Sequence, residues 1–175
     1  MRIGLPIVLA SLACVVCSAT LSFDLAAGVS GVAAAAAADR INIIDAAMTL
    51  TPTAADYAND YVEITGATGL RVAVGTSSNT GCVLFVKCAD AAPRIALADF
   101  LVRTLTAPGT GGTSMTSYTA VTASDQALWS SGVKVPGFNQ INLDIRIKNL
   151  FGYSDAISGG TTAYTDNLTF TVIAQ

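Results

Sequence analysis

Two cysteines and a small group of aspartates are the residues whose chemistry could serve a functional site. Cys82 and Cys88 lie six positions apart in a hydrophobic run, where they could form a disulfide, bind a metal or remain as buried thiols. Asp56 and Asp60 flank Asn59 and offer the hard oxygen ligands that suit calcium. The 175-residue chain contains no histidine. This excludes Ser-His-Asp and Cys-His catalysis and His-ligated zinc.

The spacing of Cys82 and Cys88 leaves their redox state open. In an extended strand, two residues with this spacing stand about 20 Å apart, whereas a disulfide needs Cα atoms within about 7 Å. A bridge therefore requires the segment between them to fold back. Otherwise the thiols remain free and buried like small hydrophobic side chains. Two thiols without histidine fall short of a structural zinc site, so we expect no metal or other cofactor.

The aspartates suit local hydrogen bonding better than catalysis. Asp56 and Asp60 lack the regular ligand spacing of a calcium loop, and Asp and Asn commonly cap turns through the nearby backbone. Glu63 is the only glutamate, so an acid–base pair for glycoside hydrolysis would have to use aspartates. We therefore predict that the protein is not an enzyme, with an aspartate-based hydrolase as the remote alternative.

Composition excludes further classes of function. Charged residues make up 12% of the chain, against about 25% in an ordinary soluble domain. The net charge of −3 is spread without a basic run, so the chain lacks the electrostatic signature of a protein that binds nucleic acid or an anionic membrane.

The start of the chain has the pattern of an export signal. Met1-Arg2 precedes an uncharged apolar run from Ile3 to Leu21. Cleavage could follow Ala19 or fall within the alanine run 33–38, and the sequence does not separate the two. We assign residues 1–38 to a signal peptide and alanine-rich leader, with an uncleaved membrane anchor as the alternative. We expect a secreted protein, extracellular or at the cell surface, that meets the membrane only through this segment during export.

Residues 39–175 are long enough for a single domain with its own core, and their hydrophobic period is two. From Ile141 to Lys148, four hydrophobic side chains alternate with four polar ones, as in a half-buried strand. Leu168, Phe170 and Val172 repeat the alternation near the C-terminus. Further strands are predicted at residues 61–65, 70–74, 81–88 and 117–122, the first two forming a hairpin. Short strands between Gly-, Ser- and Thr-rich turns indicate an all-β fold, an antiparallel sandwich.

Three further parts of the sequence each allow two interpretations. Arg94–Leu105 is a strand with a bulge at Asp99 or a helix with Pro93 in its first turn, and we favour the strand because its neighbours are β. Trp129 is a core residue or part of a sugar-stacking surface with Tyr118 or Tyr153. Asn167-Leu168-Thr169 matches the glycosylation pattern, although it stands at the start of a predicted strand.

The segment Arg40–Leu50 is the candidate for contact between copies of the chain. Such a strand can complete its own sheet, or add to the open edge of a neighbouring subunit and build a head-to-tail filament. Its apolar stripe slips by one residue at Ile44 and comprises Ile41, Ile43, Ala46, Met48 and Leu50. A second alternation matters if cleavage follows Ala19, and it comprises Leu21, Phe23, Leu25 and Ala27.

The end of the chain resembles a known family. The run Tyr164-Thr165-Asp166-Asn167-Leu168-Thr169-Phe170-Thr171-Val172, preceded by Gly160, is similar to the closing strand of the spore coat U-like secreted domains. That family includes the pilins of archaic chaperone-usher fimbriae. The resemblance implies an immunoglobulin-like β-sandwich that assembles by donor-strand exchange.

Together these features predict a structural subunit of an extracellular filament or surface assembly, a pilus-like homopolymer joined head to tail by β-strand donation. Low charge favours this function because few ions must be desolvated where copies pack. The alternative is a monomeric secreted binding module, with carbohydrate as a candidate ligand, that uses loops such as Ala107 to Ser117.

Overall fold

Strands of two sheets make up most of the chain that the structure, a computed structural model, describes: residues 22–32, 39–153 and 163–175. The first sheet contains β1 (Ser22–Val32), β3 (Ala47–Leu50), β6 (Cys82–Cys88), β9 (Gln126–Ser130) and β11 (Ala163–Ala174). The second contains β2 (Arg40–Ile43), β4 (Tyr61–Ile64), β5 (Leu70–Thr76), β7 (Phe100–Thr106), β8 (Thr119–Ala120) and β10 (Val135–Lys148). A short helix, α1 (Ala54–Asn59), precedes β4. The prediction of an all-β fold is confirmed.

The strand order places β1 between β3 and β11. The first sheet runs β3-β1-β11-β6-β9, and the second runs β2-β5-β10-β7-β8, with β4 paired to β10 beside that path. Within the described ranges every strand pair is antiparallel except β1 with β11. The sheets are antiparallel as predicted apart from this one pair, in which both strands run in the same direction.

One hydrophobic core takes side chains from both sheets. Ile141, Leu143, Ile145 and Ile147 of β10 are all fully buried, which confirms the predicted alternation on that face. The opposite face departs from the prediction at Asp144. This residue is fully buried as well, because Arg103 and the turn at Gly66 cover it.

The predicted hairpin between residues 61–65 and 70–74 was wrong. Both strands form, but β4 and β5 each pair with a different part of the long strand β10 and not with each other. A 3₁₀ turn at Gly66–Thr68 separates them. Gly69 follows this turn, and a Cβ atom there would stand 2.5 Å from the Leu143 carbonyl oxygen, so only glycine fits where the chain crosses β10.

Other predicted elements are shorter than expected. The segment from Arg94 to Asp99 is a series of turns, and strand β7 begins only at Phe100. The predicted strand over Arg94–Leu105 is therefore correct only for the second half of that segment. The strand expected at residues 117–122 is reduced to β8.

The segment assigned to the leader includes Ser22–Val32, which the structure places inside the first sheet as β1. The two candidate cleavage sites, after Ala19 and within residues 33–38, lie outside the described residues. In the part of the chain that the structure describes, no helix has the length and apolar character needed to cross a membrane.

Candidate strand-exchange site

Strand β1 fills a slot between β3 and β11. On one side it pairs antiparallel with β3, from Phe23 opposite Leu50 to Ala26 opposite Ala47. On the other side it pairs in parallel with β11, starting from Ser22 opposite Ala163. Within the described sheet β3 pairs only with β1. Without β1, two backbone edges would therefore lose their hydrogen-bond partners.

Phe23 anchors β1 in this slot. Its side chain is fully buried. Its ring lies edge-on to Tyr153, with the two centroids 5.6 Å apart, and tilted against Tyr164 at 5.8 Å. The two tyrosine rings also meet edge-on at 5.1 Å. Edge-to-face contacts of this kind add to the hydrophobic gain of burying the ring. The aromatic cluster therefore holds the start of β1.

Hydrogen bonds keep the two tyrosines in place. The Tyr164 hydroxyl donates to the carbonyl oxygen of Tyr153 at 2.7 Å. The Tyr153 hydroxyl donates to Asp99 Oδ2 at 2.9 Å and accepts from the Ala96 amide at 3.0 Å. Burial raises the pKa of Tyr153, and its hydrogen bond to Asp99 raises that pKa further. The pocket for Phe23 is thus built from neutral rings whose polar ends are satisfied.

Asp166 fastens the turns before β7 onto β11. Its side chain is buried, and its carboxylate accepts from the amides of Arg94 at 2.8 Å and Ile95 at 2.6 Å. Burial raises the pKa of Asp166, while these two amide hydrogen bonds act in the opposite direction. The aspartate of the C-terminal motif therefore has a structural partner in this chain.

The predicted donor-strand residues lie in two strands of their own domain. Four of them belong to a strand and are half-buried or buried, and one is exposed between the strands: Ile41 and Ile43 in β2, Ala46 in the connection, and Met48 and Leu50 in β3.

The chain crosses from the second sheet to the first at Asp45. Its two carboxylate oxygens accept from Arg71 Nε and Nη2, both at 2.8 Å, and one also accepts from the Arg71 amide at 2.9 Å. Arg40–Leu50 thus completes its own sheets, which is the option that the sequence left open beside donation. Its exchange between copies stays a prediction.

Cys82 and Cys88 are both free and buried. Cys82 and Cys88 stand at the two ends of the extended strand β6, too far apart for a bridge. Burial raises the pKa of both thiols. For Cys82 a contact with the Ser131 hydroxyl acts on the pKa in the opposite direction. No group of three or more Cys, Asp or Glu side chains in the described ranges is placed to hold a metal ion.

Asp56, Trp129 and Asn167 were also candidate functional residues, and the structure shows the surroundings of each. Asp56 caps α1, because its carboxylate accepts from the Thr53 amide and hydroxyl while its own amide donates to Thr53. Trp129 is 2% exposed and lies in the core. Asn167 is exposed, and its side-chain amide donates to Asp90 at 2.9 Å. Only Asn167 of these remains accessible for modification.

A polar network on the outer face of the second sheet was missed at the sequence level. Glu63 Oε2 accepts from Arg146 Nε at 2.8 Å and from the Tyr118 hydroxyl at 3.1 Å. The Arg146 guanidinium lies 4.0 Å from the centre of the Tyr118 ring. Burial, followed by the bond to Glu63, raises the pKa of Tyr118 to about 12. These residues come from distant parts of the chain, and no local pattern could have grouped them.

No protein-family model matches this chain, and no curated protein matches it either. The resemblance of residues 164–172 to the closing strand of spore coat U-like domains therefore stays a prediction. The slot of β1, with Phe23 as its anchor, is the candidate functional site of the described chain.

Proposed function

We propose that this chain is the structural subunit of an extracellular filament or surface assembly whose copies are joined by exchange of strand β1. The position of β1 carries the proposal, since the first strand of the described chain fills a slot between β3 and β11. Exchange of an identical element between copies is a low-cost route to assembly. In a neighbour, β1 regains backbone hydrogen bonds of the same kind as it loses.

The site of signal cleavage decides whether the donor belongs to the mature chain. Cleavage after Ala19 keeps β1, which is then the N-terminal segment available for donation. Cleavage within residues 33–38 removes β1 and leaves a slot that needs a strand from another molecule. We propose cleavage after Ala19, because every copy of the chain then carries both the donor strand and the slot.

Phe23 would supply both affinity and register for the exchanged strand. A shift of one residue along a strand moves every side chain to the opposite face of the sheet. Such a shift would remove Phe23 from the ring of Tyr153 and leave the aromatic pocket empty. Insertion into a neighbour is therefore expected in one register.

We further propose that the two-sheet domain is an immunoglobulin-like sandwich, secreted and without catalytic activity. A core shared by the two sheets supports the sandwich. The structural partners of two buried acids support the absence of catalysis: Asp166 accepts from two amides, and Asp144 binds Arg103 and the Gly66 amide. The low charge of the chain supports close packing between copies.

A cysteine pair across the slot tests the exchange. Ala26 and Asn167 are register partners on β1 and β11, close to the middle of the slot. In secreted protein with Ala26→Cys and Asn167→Cys, oxidation is expected to give a ladder of disulfide-linked multimers in denaturing electrophoresis. Fibres are expected at the same time by electron microscopy of the culture surface.

The matched control places the pair on strands that stay within one copy. Leu101 and Ala120 are register partners on β7 and β8, and both are half-buried. Leu101→Cys with Ala120→Cys should give crosslinks within one chain only. If the Ala26 and Asn167 pair also gives only such monomers, exchange is wrong and the monomeric binding module becomes the better interpretation. N-terminal sequencing of the secreted protein shows whether β1 is retained.

A further inference from the structure

One segment of the chain joins the edges of the two sheets on the side of the domain away from β3. This segment, residues 113–122, contacts β7 of the second sheet and both β9 and β6 of the first, and we call it the strap. Within the described chain, β9 and β3 are the two edge strands of the first sheet. The strap therefore covers the side of the sandwich that lies across the first sheet from β3.

The first half of the strap is hydrogen-bonded to both sheets. The Met115 amide donates to the Leu128 carbonyl oxygen at 2.9 Å, and the Ser130 amide donates to the Thr113 carbonyl oxygen at 2.8 Å. From the second sheet, the Thr104 amide donates to the Met115 carbonyl oxygen at 2.7 Å. Met115 is thus bound through its amide to β9 and through its carbonyl oxygen to β7.

The second half of the strap also bridges the sheets. Its strand β8 pairs with β7, and the Val121 amide donates to the Phe100 carbonyl oxygen at 2.8 Å. The Cys88 amide, at the end of β6, donates to the Thr122 carbonyl oxygen at 2.9 Å. An uncovered strand edge is a template on which another strand can pair. The strap thus occupies the positions on β7 and β9 that an added strand would take.

Few side chains of the strap are buried in the core. Val121 is 1% exposed, and Met115 is partly buried against the core. Half of the ten residues of the strap are small polar residues with exposed side chains: Thr113, Ser114, Thr116, Ser117 and Thr122. Segments with few buried apolar contacts open locally at a low cost in free energy. We therefore expect a further contact to hold the strap against the sheets.

Tyr118 makes this contact on the outer face of the second sheet. Its hydroxyl donates to Glu63 Oε2 on β4 at 3.1 Å. Its ring centre lies 4.4 Å from the guanidinium carbon of Arg103 on β7 and 4.0 Å from that of Arg146 on β10. Each of the two arginines is also bound to a carboxylate, which fixes its guanidinium. Tyr118 therefore connects the middle of the strap to three strands of the second sheet.

We propose that the strap closes this side of the sandwich to the addition of further strands, and that Tyr118 is the residue that holds the strap closed. The edges of β7 and β9 are then unavailable to a strand from a second copy. The slot of β1 consequently has no competing acceptor on this side of the domain. That last consequence rests on the proposed strand exchange, whereas the closing of β7 and β9 by the strap does not.

Hydrogen exchange of single amides tests the role of Tyr118. In the full chain with Tyr118→Ala, the amides of Ser130 and Cys88 should exchange about tenfold faster than in the wild type, because opening of the strap removes their acceptors. Tyr118→Phe keeps the ring and removes only the bond to Glu63, so it should give a smaller acceleration of the same two amides. This second variant tests the proposal even if Tyr118→Ala folds poorly.

The neighbouring amides are internal controls. The Ser131 amide donates to Cys82 at 2.9 Å and the Ala89 amide donates to Asn167 at 2.8 Å, so neither is bound to the strap. Their exchange in Tyr118→Phe should match the wild type. Tyr57→Ala, which removes a half-buried tyrosine of α1, is the control variant. Acceleration in Tyr118→Phe that is shared by the control amides, or that equals the effect of Tyr57→Ala, would overturn the role of Tyr118.

A peptide with the sequence of residues 113–122 tests whether the covered edges accept a strand. Labelled with a fluorophore, it should bind the Tyr118→Ala and Tyr118→Phe chains, because it carries the tyrosine that their own strap lacks. Fluorescence anisotropy should show binding to the wild type that is weaker by about tenfold, since an intact strap occupies the site. The same peptide with Tyr118→Ala is the control and should bind none of the three proteins.

Equal binding of the peptide to variants and wild type, or binding to none of them, would overturn the closing of these edges by the strap. The disulfide ladder of the Ala26 and Asn167 pair tests the strand exchange separately. A ladder without peptide binding leaves the exchange and removes the strap proposal. Peptide binding without a ladder leaves the strap as a cover of β7 and β9 and removes the exchange.

Discussion

The ring of Phe23 stands edge-on to the ring of Tyr153, with planes at 88° and centroids 5.6 Å apart. This contact joins the first strand of the described chain to the turn that follows β10. The slot of β1 is consequently closed at one end by an aromatic pocket whose hydroxyls are bound elsewhere. The stability of the domain and the position of the exchanged strand should depend on the same side chain.

Phe23→Ala should lower the free energy of unfolding by about 3–5 kcal/mol, since it removes a fully buried ring and leaves a cavity. The measurement is urea unfolding of the purified protein. Phe138→Ala is the control, because that ring is 56% exposed, and its effect should stay within about 0.5 kcal/mol. Equal effects of the two changes would mean that β1 does not occupy its slot in solution.

Asp166→Ala should lower the free energy of unfolding by about 1–3 kcal/mol, because the amides of Arg94 and Ile95 lose their acceptors. Hydrogen exchange of these two amides, compared with the wild type, locates the effect. Protection that persists in Asp166→Ala would show that another group holds the turns before β7.

The pH dependence of Asp166 has a defined sign. Burial raises its pKa in the folded state above 3.8, so the folded protein binds the proton more tightly than the unfolded chain does. The stability of the wild type relative to Asp166→Asn should therefore fall as pH rises from 3.8 through the folded pKa. Urea unfolding of both proteins across this range measures the difference. A difference that grows with pH contradicts the assignment.

Asp45→Asn should show the opposite trend. The hydrogen bond from Arg71 lowers the pKa of Asp45, so its contribution is present above pH 3.8 and is lost as pH falls through the folded pKa. Because the ion pair is partly exposed, the loss at neutral pH should be at most about 1 kcal/mol. Denaturant unfolding at neutral and acid pH tests this. A constant difference would mean that the pair does not hold the crossing between β2 and β3.

The thiols of Cys82 and Cys88 should react slowly with a thiol reagent in the native protein and rapidly in denaturant. Both are buried, and burial raises their pKa, so little thiolate is present at neutral pH. The measurement is the time course of thiol labelling with and without urea. Absence of labelling in denaturant would reveal a disulfide that requires β6 to fold back.

The alternation of side chains predicted several strands correctly. Ile141 and Ile147 lie in the core, and Phe170 faces it from the other sheet. The same alternation did not predict which strands pair with each other. The residues 61–65 and 70–74 read as a hairpin, yet both segments pair with β10, because the choice between two available edges depends on where the whole sheet places them.

The partners of charged side chains were likewise not predicted by the alternation. The alternation assigned Asp144 to a solvated face, but Arg103 and the amide of Gly66 surround it in a buried position. The network of Glu63, Arg146 and Tyr118 likewise joins strands that are far apart in the chain. The partner of a buried charged residue can be identified only from the three-dimensional arrangement of the strands.

Side-chain period and residue type are local properties, so the amino-acid sequence was enough to predict an all-β fold and to exclude histidine-dependent chemistry. The tertiary structure decided that Ser22–Val32 is a strand of the first sheet, that Arg40–Leu50 divides between two sheets, and that residues 113–122 join the edges of both sheets. These outcomes depend on backbone pairing between distant segments. Any strand can form such backbone hydrogen bonds, and the burial of side chains in the assembled core determines which strands pair.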